Sequence, residues 1–280
     1  MKLVAAVLIS VVLLAIFLAP MNVPLYNVIL FPYSDPRTPN IDIALQEFRG
    51  QNFTPREIVF PSKNGRLLHG LLFGRADTRR IFLYSHTKAN NMYLQISKAH
   101  MFYCCGGSVF MYDYQGFGRS QGQATAAGTC EDALAAYDYL IQHDQRKGKE
   151  IIAIGESWGS GVTGQLAAQR ELGGVIMLSG FSSLLSCAKD RLFWLRWYPR
   201  WCFPREYDMD NVSIFEKLHP PLLIVHGRKD YVIPCKEAES LYAHAIEPKS
   251  MLLFPKGHCT FGKGNDFAIA VRQWLAQNKI

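Results

Sequence analysis

The chain has 280 residues, of which 49% are apolar and 19% charged, a balance that supports one globular domain with a full hydrophobic core. The formal net charge of +7 is compatible with nucleic acid or an anionic membrane as a partner. The basic residues are scattered, however, and no zinc-site spacing or aromatic RNA-binding motif occurs, which excludes nucleic acid from the expected partners. The seven cysteines form no C-x-x-C pair, so they predict neither a zinc nor a redox site and leave the disulfide state open.

Residues 1–20 predict a signal anchor, a transmembrane helix at the N-terminus. After Lys2 comes an uncharged, largely apolar run of about 17 residues, near the lower length limit for crossing a bilayer. The next basic residue is Arg37, so the positive-inside rule places the N-terminus in the cytosol and the catalytic domain on the extracytoplasmic side, periplasmic or lumenal. Cleavage after Ala19 would give a secreted form, but Pro20 would follow the cut and disfavours it.

Residues 21–53 contain four prolines among polar residues, which is typical of an extended tether. A globular domain is then predicted over residues 54–280. It opens with two β-rich runs, 56–61 and 67–73, on either side of the Asn-Gly pair at 64–65. Because Asn-Gly supplies the positive φ angles of a tight hairpin turn, the sheet is expected to begin with an antiparallel edge.

Six further apolar runs alternate with helix-like stretches such as Glu131–His143. The predicted strands are 81–84, 108–112, 151–154, 174–178, 222–225 and 251–254. This alternation predicts an α/β fold with a mostly parallel sheet, whose strands are apolar throughout because helices cover both faces. Ligands bind such sheets at the carboxyl ends of the strands.

A candidate nucleophile lies between one of these strands and a helix. Residues 155–159 read Gly-Glu-Ser-Trp-Gly, directly after the strand 151–154 and directly before the helix-forming residues 161–170. Flanking glycines permit the strained strand-turn-helix geometry in which a serine hydroxyl projects above the sheet, with the helix N-terminus facing the developing anion. Ser157 is therefore the predicted nucleophile.

The same G-x-S-x-G pattern occurs at residues 118–122, with Ser120 at its centre. Loop-like residues 121–128 follow this copy before a helix that Thr129 could cap. It therefore lacks the strand-to-helix elbow, and the context favours Ser157 over Ser120.

Two more candidates lie at strand ends downstream of Ser157. A serine nucleophile needs a base to take its proton and an acid to orient that base, in the chain order serine, acid, histidine on this architecture. Asp230 follows the strand 222–225, and His258 follows the strand 251–254. Each alone could be a turn aspartate or a loop histidine, but three strand-end positions in the right order favour a catalytic triad.

The motifs together resemble the α/β-hydrolase superfamily over roughly residues 54–279. They are most similar to its membrane-associated α/β-hydrolase-domain-containing branch, whose members act as lysophospholipases, acylglycerol lipases or protein depalmitoylases. The residues that carry the resemblance are 112–120, 155–159, 226–230 and 257–258. The resemblance implies a cap insertion, the triad Ser157, Asp230 and His258, and a structural rather than catalytic role for the loop at 116–120.

The oxyanion hole is where the sequence departs from that branch. One donor is expected to be the backbone N–H of Trp158, and the other to come from the loop 85–90. By resemblance the second donor is the backbone N–H of Lys88. Thr87 stands where the branch has glycine, and its own N–H is the alternative. Acyl transfer through a serine needs no metal and no organic cofactor, so none is predicted.

A cap is expected over residues 181–219, between two predicted strands. Within it, the stretch 189–205 threads six aromatic side chains between arginines. Such side chains suit a membrane interface, but packing of the cap on the core explains them equally well. A cap that contacts lipid would let an acyl chain leave the bilayer without crossing water.

These features predict a serine hydrolase that cleaves carboxylic ester or thioester bonds of acyl-chain substrates, lipid or lipidated. Ser157 would carry the acyl group, His258 would act as base and then acid, and Asp230 would hold the imidazole. Two alternatives stay open. One is a serine peptidase or amidase on the same fold, and the other is a non-catalytic binding protein on the hydrolase scaffold.

Overall fold

The computed structural model describes residues 7–14, 27, 31, 41–48, 51, 53–191, 193–261 and 266–280. Residues 7–14 form a helix whose side chains are exposed. Within the described ranges, no helix is both long enough and apolar enough to cross a membrane. The remaining residues of the predicted anchor lie outside these ranges.

An eight-stranded sheet forms the centre of the domain. Its strands are β1 (Pro55–Pro61), β2 (Leu67–Phe73), β3 (Ile81–Ser85), β4 (Ser108–Tyr112), β5 (Ile151–Glu156), β6 (Gly174–Leu178), β7 (Leu222–Gly227) and β8 (Lys249–Phe254). The spatial order is β1-β2-β4-β3-β5-β6-β7-β8. β2 is antiparallel to both β1 and β4, and every pair from β4 to β8 is parallel. The predicted, mostly parallel sheet with an antiparallel edge is confirmed.

Helices cover both faces of this sheet. They are α1 (Ile41–Leu45), α2 (Ile96–Tyr103), α3 (Ala126–Gln142), α4 (Trp158–Ala167), α5 (Leu184–Arg191), α6 (Asn211–Phe215), α7 (Cys235–His244) and α8 (Asp266–Gln277). Alternate strand residues point to opposite faces, so Leu83 packs in the core formed with α3, α4 and α7, while Phe82 and Tyr84 pack in the core with α2 and α8. A buried core therefore packs against each face of the sheet.

The turn between β1 and β2 differs from the predicted one, in which Asn64 and Gly65 both have positive φ angles. The N–H of Ser62 donates to Arg66 O (2.8 Å), and the N–H of Gly65 donates to Ser62 O (2.9 Å). Gly65 has φ +81°, whereas Asn64 does not have a positive φ. Residues 63–65 form a three-residue hairpin connection that ends in a left-handed glycine, which is a common type, and the prediction of a positive φ at Asn64 as well as Gly65 was wrong.

The described part of the predicted tether, residues 21–53, packs on the domain. Phe31 is buried with its ring edge-on to Trp158, at 5.0 Å between centroids. Phe48 stacks on His100 at 4.1 Å, and Phe53 stacks on Phe73 at 4.2 Å. Because these aromatic rings remove apolar surface from water, this segment is more than a spacer where it is described.

The cap segment between β6 and β7 is built of short pieces. It contains α5, three short 3₁₀ turns (Phe193–Trp197, Arg200–Cys202 and Arg205–Tyr207) and α6. Pro199 and Pro204 directly precede the second and third turns. Proline fixes φ and lacks an N–H, so it starts a new turn instead of continuing a helix.

Candidate active site

Ser157 lies at a strained turn between β5 and α4. Its backbone has φ +55° and ψ −111°, a conformation that non-glycine residues rarely adopt. The glycines on either side are required by close packing. A Cβ on Gly155 would lie 2.1 Å from Gly159 O, and a Cβ on Gly159 would lie 2.0 Å from Ser85 O. The turn therefore packs closely against the start of α4 and against the end of β3.

The side chains of the three predicted triad residues form one hydrogen-bonded chain. Ser157 Oγ lies 3.1 Å from His258 Nε2, and His258 Nδ1 lies 2.7 Å from Asp230 Oδ2. They follow β5, β8 and β7, three strands that run in parallel. The structure therefore brings the three residues together at the carboxyl edge of the sheet.

The carboxylate of Asp230 is held by its own turn. Its Oδ1 accepts hydrogen bonds from the N–H groups of Val232 and Ile233, both at 2.8 Å. Burial raises the pKa of this carboxyl, but the hydrogen bonds from His258 and from the turn outweigh burial, and the net pKa is lowered. Asp230 is therefore ionised at neutral pH, as the partner of an imidazole that takes up a proton must be.

Ser120 is in a different position. Its hydroxyl donates to Asp113 O (2.8 Å) and accepts from the N–H of His69 (3.0 Å), and the side chain is buried. Ser120 thus joins β2 to the loop after β4.

The next helix, α3, starts at Ala126. Thr125 is its N-cap, because the Thr125 hydroxyl accepts a hydrogen bond from Gly128 N at 2.9 Å. The prediction of Thr129 as the cap was wrong.

The backbone N–H of Trp158 belongs to the first turn of α4, where N–H groups have no partner within the helix. Its indole points into the core, where Nε1 donates to Thr129 Oγ1 at 3.2 Å. The loop with Thr87 and Lys88 starts at the end of β3, against Gly159. Lys88 is exposed, and Thr87 is partly buried. Their roles as oxyanion donors stay predictions.

His86 packs beneath this loop, and the sequence pattern did not predict a role for it. Its imidazole is fully buried, with Nδ1 2.6 Å from Thr87 O and Nε2 3.5 Å from Asp113 Oδ1. Burial lowers the pKa of His86 to about 4, so the ring is neutral at pH 7. The side chain therefore packs under the loop as a neutral hydrogen-bonding group, a role that depends on contacts with a distant segment.

All seven cysteines are free thiols. In the described ranges, no group of three or more His, Cys, Asp or Glu side chains is arranged to hold a metal ion.

A mostly parallel sheet with a serine elbow after β5, an aspartate after β7 and a histidine after β8 defines an α/β-hydrolase. A model of the prolyl oligopeptidase family matches residues 109–276, more than half of the chain, and the chain belongs to that family. Membership in the α/β-hydrolase superfamily, expected from the motifs, is confirmed.

Relatives are found in bacteria and eukaryotes. The chain is 29% identical over 227 residues to the YfhR protein of Salmonella typhi, covering 73% of this chain and 75% of the relative. It is 28% identical over 216 residues to protein bem46 of Schizosaccharomyces pombe, covering 73% and 70%. It is 27% identical over 229 residues to alpha/beta hydrolase domain-containing protein 17B of Homo sapiens, covering 78% and 74%.

Solved structures of esterases share the fold. An esterase of Pyrococcus furiosus superposes with a TM-score of 0.70 at 16% identity, over 87% of this chain and 97% of that one. The esterase domain of a Rhodothermus marinus protein gives a TM-score of 0.60 at 20% identity, over 80% and 97%. At these identities the likeness shows the fold alone.

Proposed function

We propose that the protein is a serine hydrolase that cleaves carboxylic ester or thioester bonds of acyl-chain substrates. The observation that carries this proposal is the continuous hydrogen-bonded chain from Ser157 Oγ through His258 to Asp230. A serine hydroxyl is a weak nucleophile unless a base takes its proton, and an imidazole is a competent base when a carboxylate holds it in orientation. All three groups are present, in contact and in the required order.

The reaction proceeds in two halves. His258 Nε2 removes the Ser157 proton as Oγ attacks the carbonyl carbon, and the same nitrogen then donates that proton to the departing alcohol or thiol. Water attacks the acyl-enzyme by the same route and releases the acid. The backbone N–H groups of Trp158 and Lys88 are the proposed donors to the oxyanion, with Thr87 as the alternative to Lys88.

Exposed apolar side chains in the loops after β3 and β7 and in the cap support an acyl-chain substrate. Leu94 (40% exposed) follows β3, Tyr231 (86%) and Val232 (49%) follow β7, and the cap contributes Trp197 (78%) and Trp201 (67%). Large exposed apolar side chains grouped around a site are typical of lipid or partner contacts. We propose that the carboxyl edge of the sheet faces a lipid surface and that the N-terminal segment anchors the protein to the membrane.

A peptidase or amidase is the second candidate, favoured by membership in the prolyl oligopeptidase family. The same nucleophile, base and acid can cleave an amide, because only the leaving group differs. The exposed apolar side chains after β3 and β7 and in the cap favour an acyl-chain substrate instead.

A substrate panel decides between these candidates. We expect the wild type to hydrolyse p-nitrophenyl esters and acyl thioesters of increasing chain length, with weaker activity on aminoacyl amides, and Ser157→Ala to be inactive on all of them. Preference for the amides would support the peptidase. Activity on none would point to a binding protein on the hydrolase scaffold.

The lipid-facing edge is tested separately, with a chain lacking residues 1–20 so that the proposed anchor does not mask the result. We expect the double variant Trp197→Ala/Trp201→Ala to bind anionic phospholipid vesicles at least about tenfold more weakly, because two interfacial aromatic rings are lost. The matched control is Leu218→Ala, since Leu218 is also exposed but precedes β7 at the opposite edge of the sheet. Equal binding by both variants would contradict the proposed orientation.

A further inference from the structure

A partly buried ion pair joins the residue before the nucleophile to helix α2. Glu156, the residue before Ser157, is 1% exposed, and its Oε1 lies 2.7 Å from Lys98 Nζ. The same ammonium group donates to the carbonyl oxygen of Cys259 at 2.9 Å, and Cys259 is the residue after His258. Lys98 thus bridges the turn that carries the nucleophile and the turn that carries the base.

Further hydrogen bonds connect this ion pair to the loop of Thr87 and Lys88. The Tyr84 hydroxyl is hydrogen-bonded to Glu156 Oε2 and lies 2.6 Å from Gln95 Oε1. Gln95 Nε2 in turn donates to Thr87 Oγ1 at 3.3 Å. One chain of hydrogen bonds therefore connects three of the four loops at the catalytic centre, those that carry Ser157, His258 and Thr87.

Both turns that the ion pair joins hold strained backbone. Ser157 has φ +55° and Cys259 has φ +54°, and neither is glycine. Such conformations persist only where surrounding contacts fix them. The N–H of Cys259 donates to Ser179 Oγ at 3.0 Å, and its carbonyl accepts from Lys98, so Cys259 is held from both sides.

Stability alone does not explain this ion pair. Burying the Glu156 carboxylate and most of the Lys98 side chain costs several kcal/mol, and apolar residues of similar size often give equal or greater stability. Lys98 does, however, give directional hydrogen bonds to the Glu156 carboxylate and to the backbone carbonyl of Cys259, which an apolar residue cannot do.

We propose that Lys98, through its ion pair with Glu156, is a positioning residue that sets the distance between Ser157 and His258. This inference rests on the proposed hydrolase function. Lys98 contacts neither the substrate nor the reacting atoms in this role. It holds the two catalytic turns in one arrangement, so that the proton of Ser157 points at His258.

The test compares kcat, KM and stability in three variants. Lys98→Met removes the bridge and leaves the Glu156 carboxylate buried and uncompensated, so we expect kcat and the rate of fluorophosphonate labelling to fall about 10- to 100-fold, with KM within about twofold of wild type. Lys98→Met/Glu156→Gln removes the uncompensated charge, and the unfolding midpoint should recover. Because the bridge is still missing, kcat should remain low. Lys98→Arg can still donate to both acceptors and should retain most of the activity.

Recovery of kcat together with stability in the double variant would overturn the proposal, because the ion pair would then be merely structural. Unchanged kcat in a folded Lys98→Met would overturn it as well. Arg146→Met is the matched control, since Arg146 forms a partly buried pair with Asp144 in the loop before β5, at the other end of that strand. It should lower stability only. A wild type that neither labels nor hydrolyses would instead refute the proposed function itself.

Discussion

The imidazole of His86 lies in the core beneath the loop of Thr87 and Lys88, and its ionisation should influence the stability of the whole domain. The unfolded chain binds a proton at this position near pH 6.5, whereas burial lowers the pKa in the folded protein to about 4. Between these values the unfolded state binds more protons, so stability falls as the pH falls. His86 should account for a loss of about 2 kcal/mol between pH 7.5 and pH 5.

Urea unfolding of the wild type and of His86→Gln at those two pH values measures this effect. We expect His86→Gln to be less stable at pH 7.5, because it loses buried contacts, and to change less with pH. The carboxylate of Asp113 faces the ring at 3.5 Å in the wild type. The same pH dependence in both proteins would show that His86 is not the group responsible.

At this scale, the sequence predicted the residues that follow strands and missed those that act through distant contacts. Ser157, Asp230 and His258 each come at or shortly after the end of an apolar run, so their positions follow from local pattern. His86 also follows a strand, but nothing local indicates that its ring is buried, and Lys98 lies within α2 with no strand-end pattern. Their partners lie 27 and 58 positions away along the chain, at Asp113 and Glu156. Only the fold reveals those contacts.

The elbow between β5 and α4 depends on the absence of a Cβ at Gly159. In Gly159→Ala the new Cβ would lie 2.0 Å from Ser85 O, so the end of β3 or the start of α4 must shift. We expect labelling of Ser157 by a fluorophosphonate to slow by about 100-fold or more, because a misplacement of about 1 Å can have that effect.

Gly74→Ala is the control for that substitution. Gly74 follows β2, and a Cβ there would have no atom within 4 Å. Its labelling rate should match that of the wild type. Normal labelling of a folded Gly159→Ala would show that the close approach of β3 is not needed.

Element boundaries were predictable where the apolar run defines the element. The predicted strands 67–73, 108–112 and 174–178 have the observed ends. Turns and caps were less predictable, because several local sequences satisfy the same geometry. Thr125 and Thr129 could both cap α3, and the hydrogen bond from Gly128 N selects Thr125.

At the scale of the molecule, the alternation of strands and helices predicted the fold class but not the order of strands. β4 lies between β2 and β3. The chain therefore passes from β2 over the position of β4 to β3, and then returns to form β4. Nothing in the apolar pattern specifies that crossing, because β3 and β4 are equally apolar and equally buried. Contacts such as Phe31 with Trp158 were likewise outside what a local pattern can predict.

The proposed anchor makes a prediction for the orientation of the whole chain. With Lys2 on the cytosolic side, alkaline phosphatase fused after Ile280 should be active, because that enzyme works only outside the cytosol. The same fusion lacking residues 1–20 should be inactive. An inactive full-length fusion that is made in normal amounts would place the catalytic domain in the cytosol and contradict the proposed localisation.

Ser157, and not Ser120, is the proposed nucleophile. Fluorophosphonate labelling followed by peptide mass spectrometry tests this assignment most directly in wild type, Ser157→Ala and Ser120→Ala. We predict adduct on Ser157 in the wild type, no adduct in Ser157→Ala, and adduct on Ser157 in Ser120→Ala. The last variant should be about 1–2 kcal/mol less stable, because the hydroxyl bonded to His69 and Asp113 is lost. Adduct that persists in Ser157→Ala, or that maps to Ser120, would contradict the assignment of Ser157 as the nucleophile.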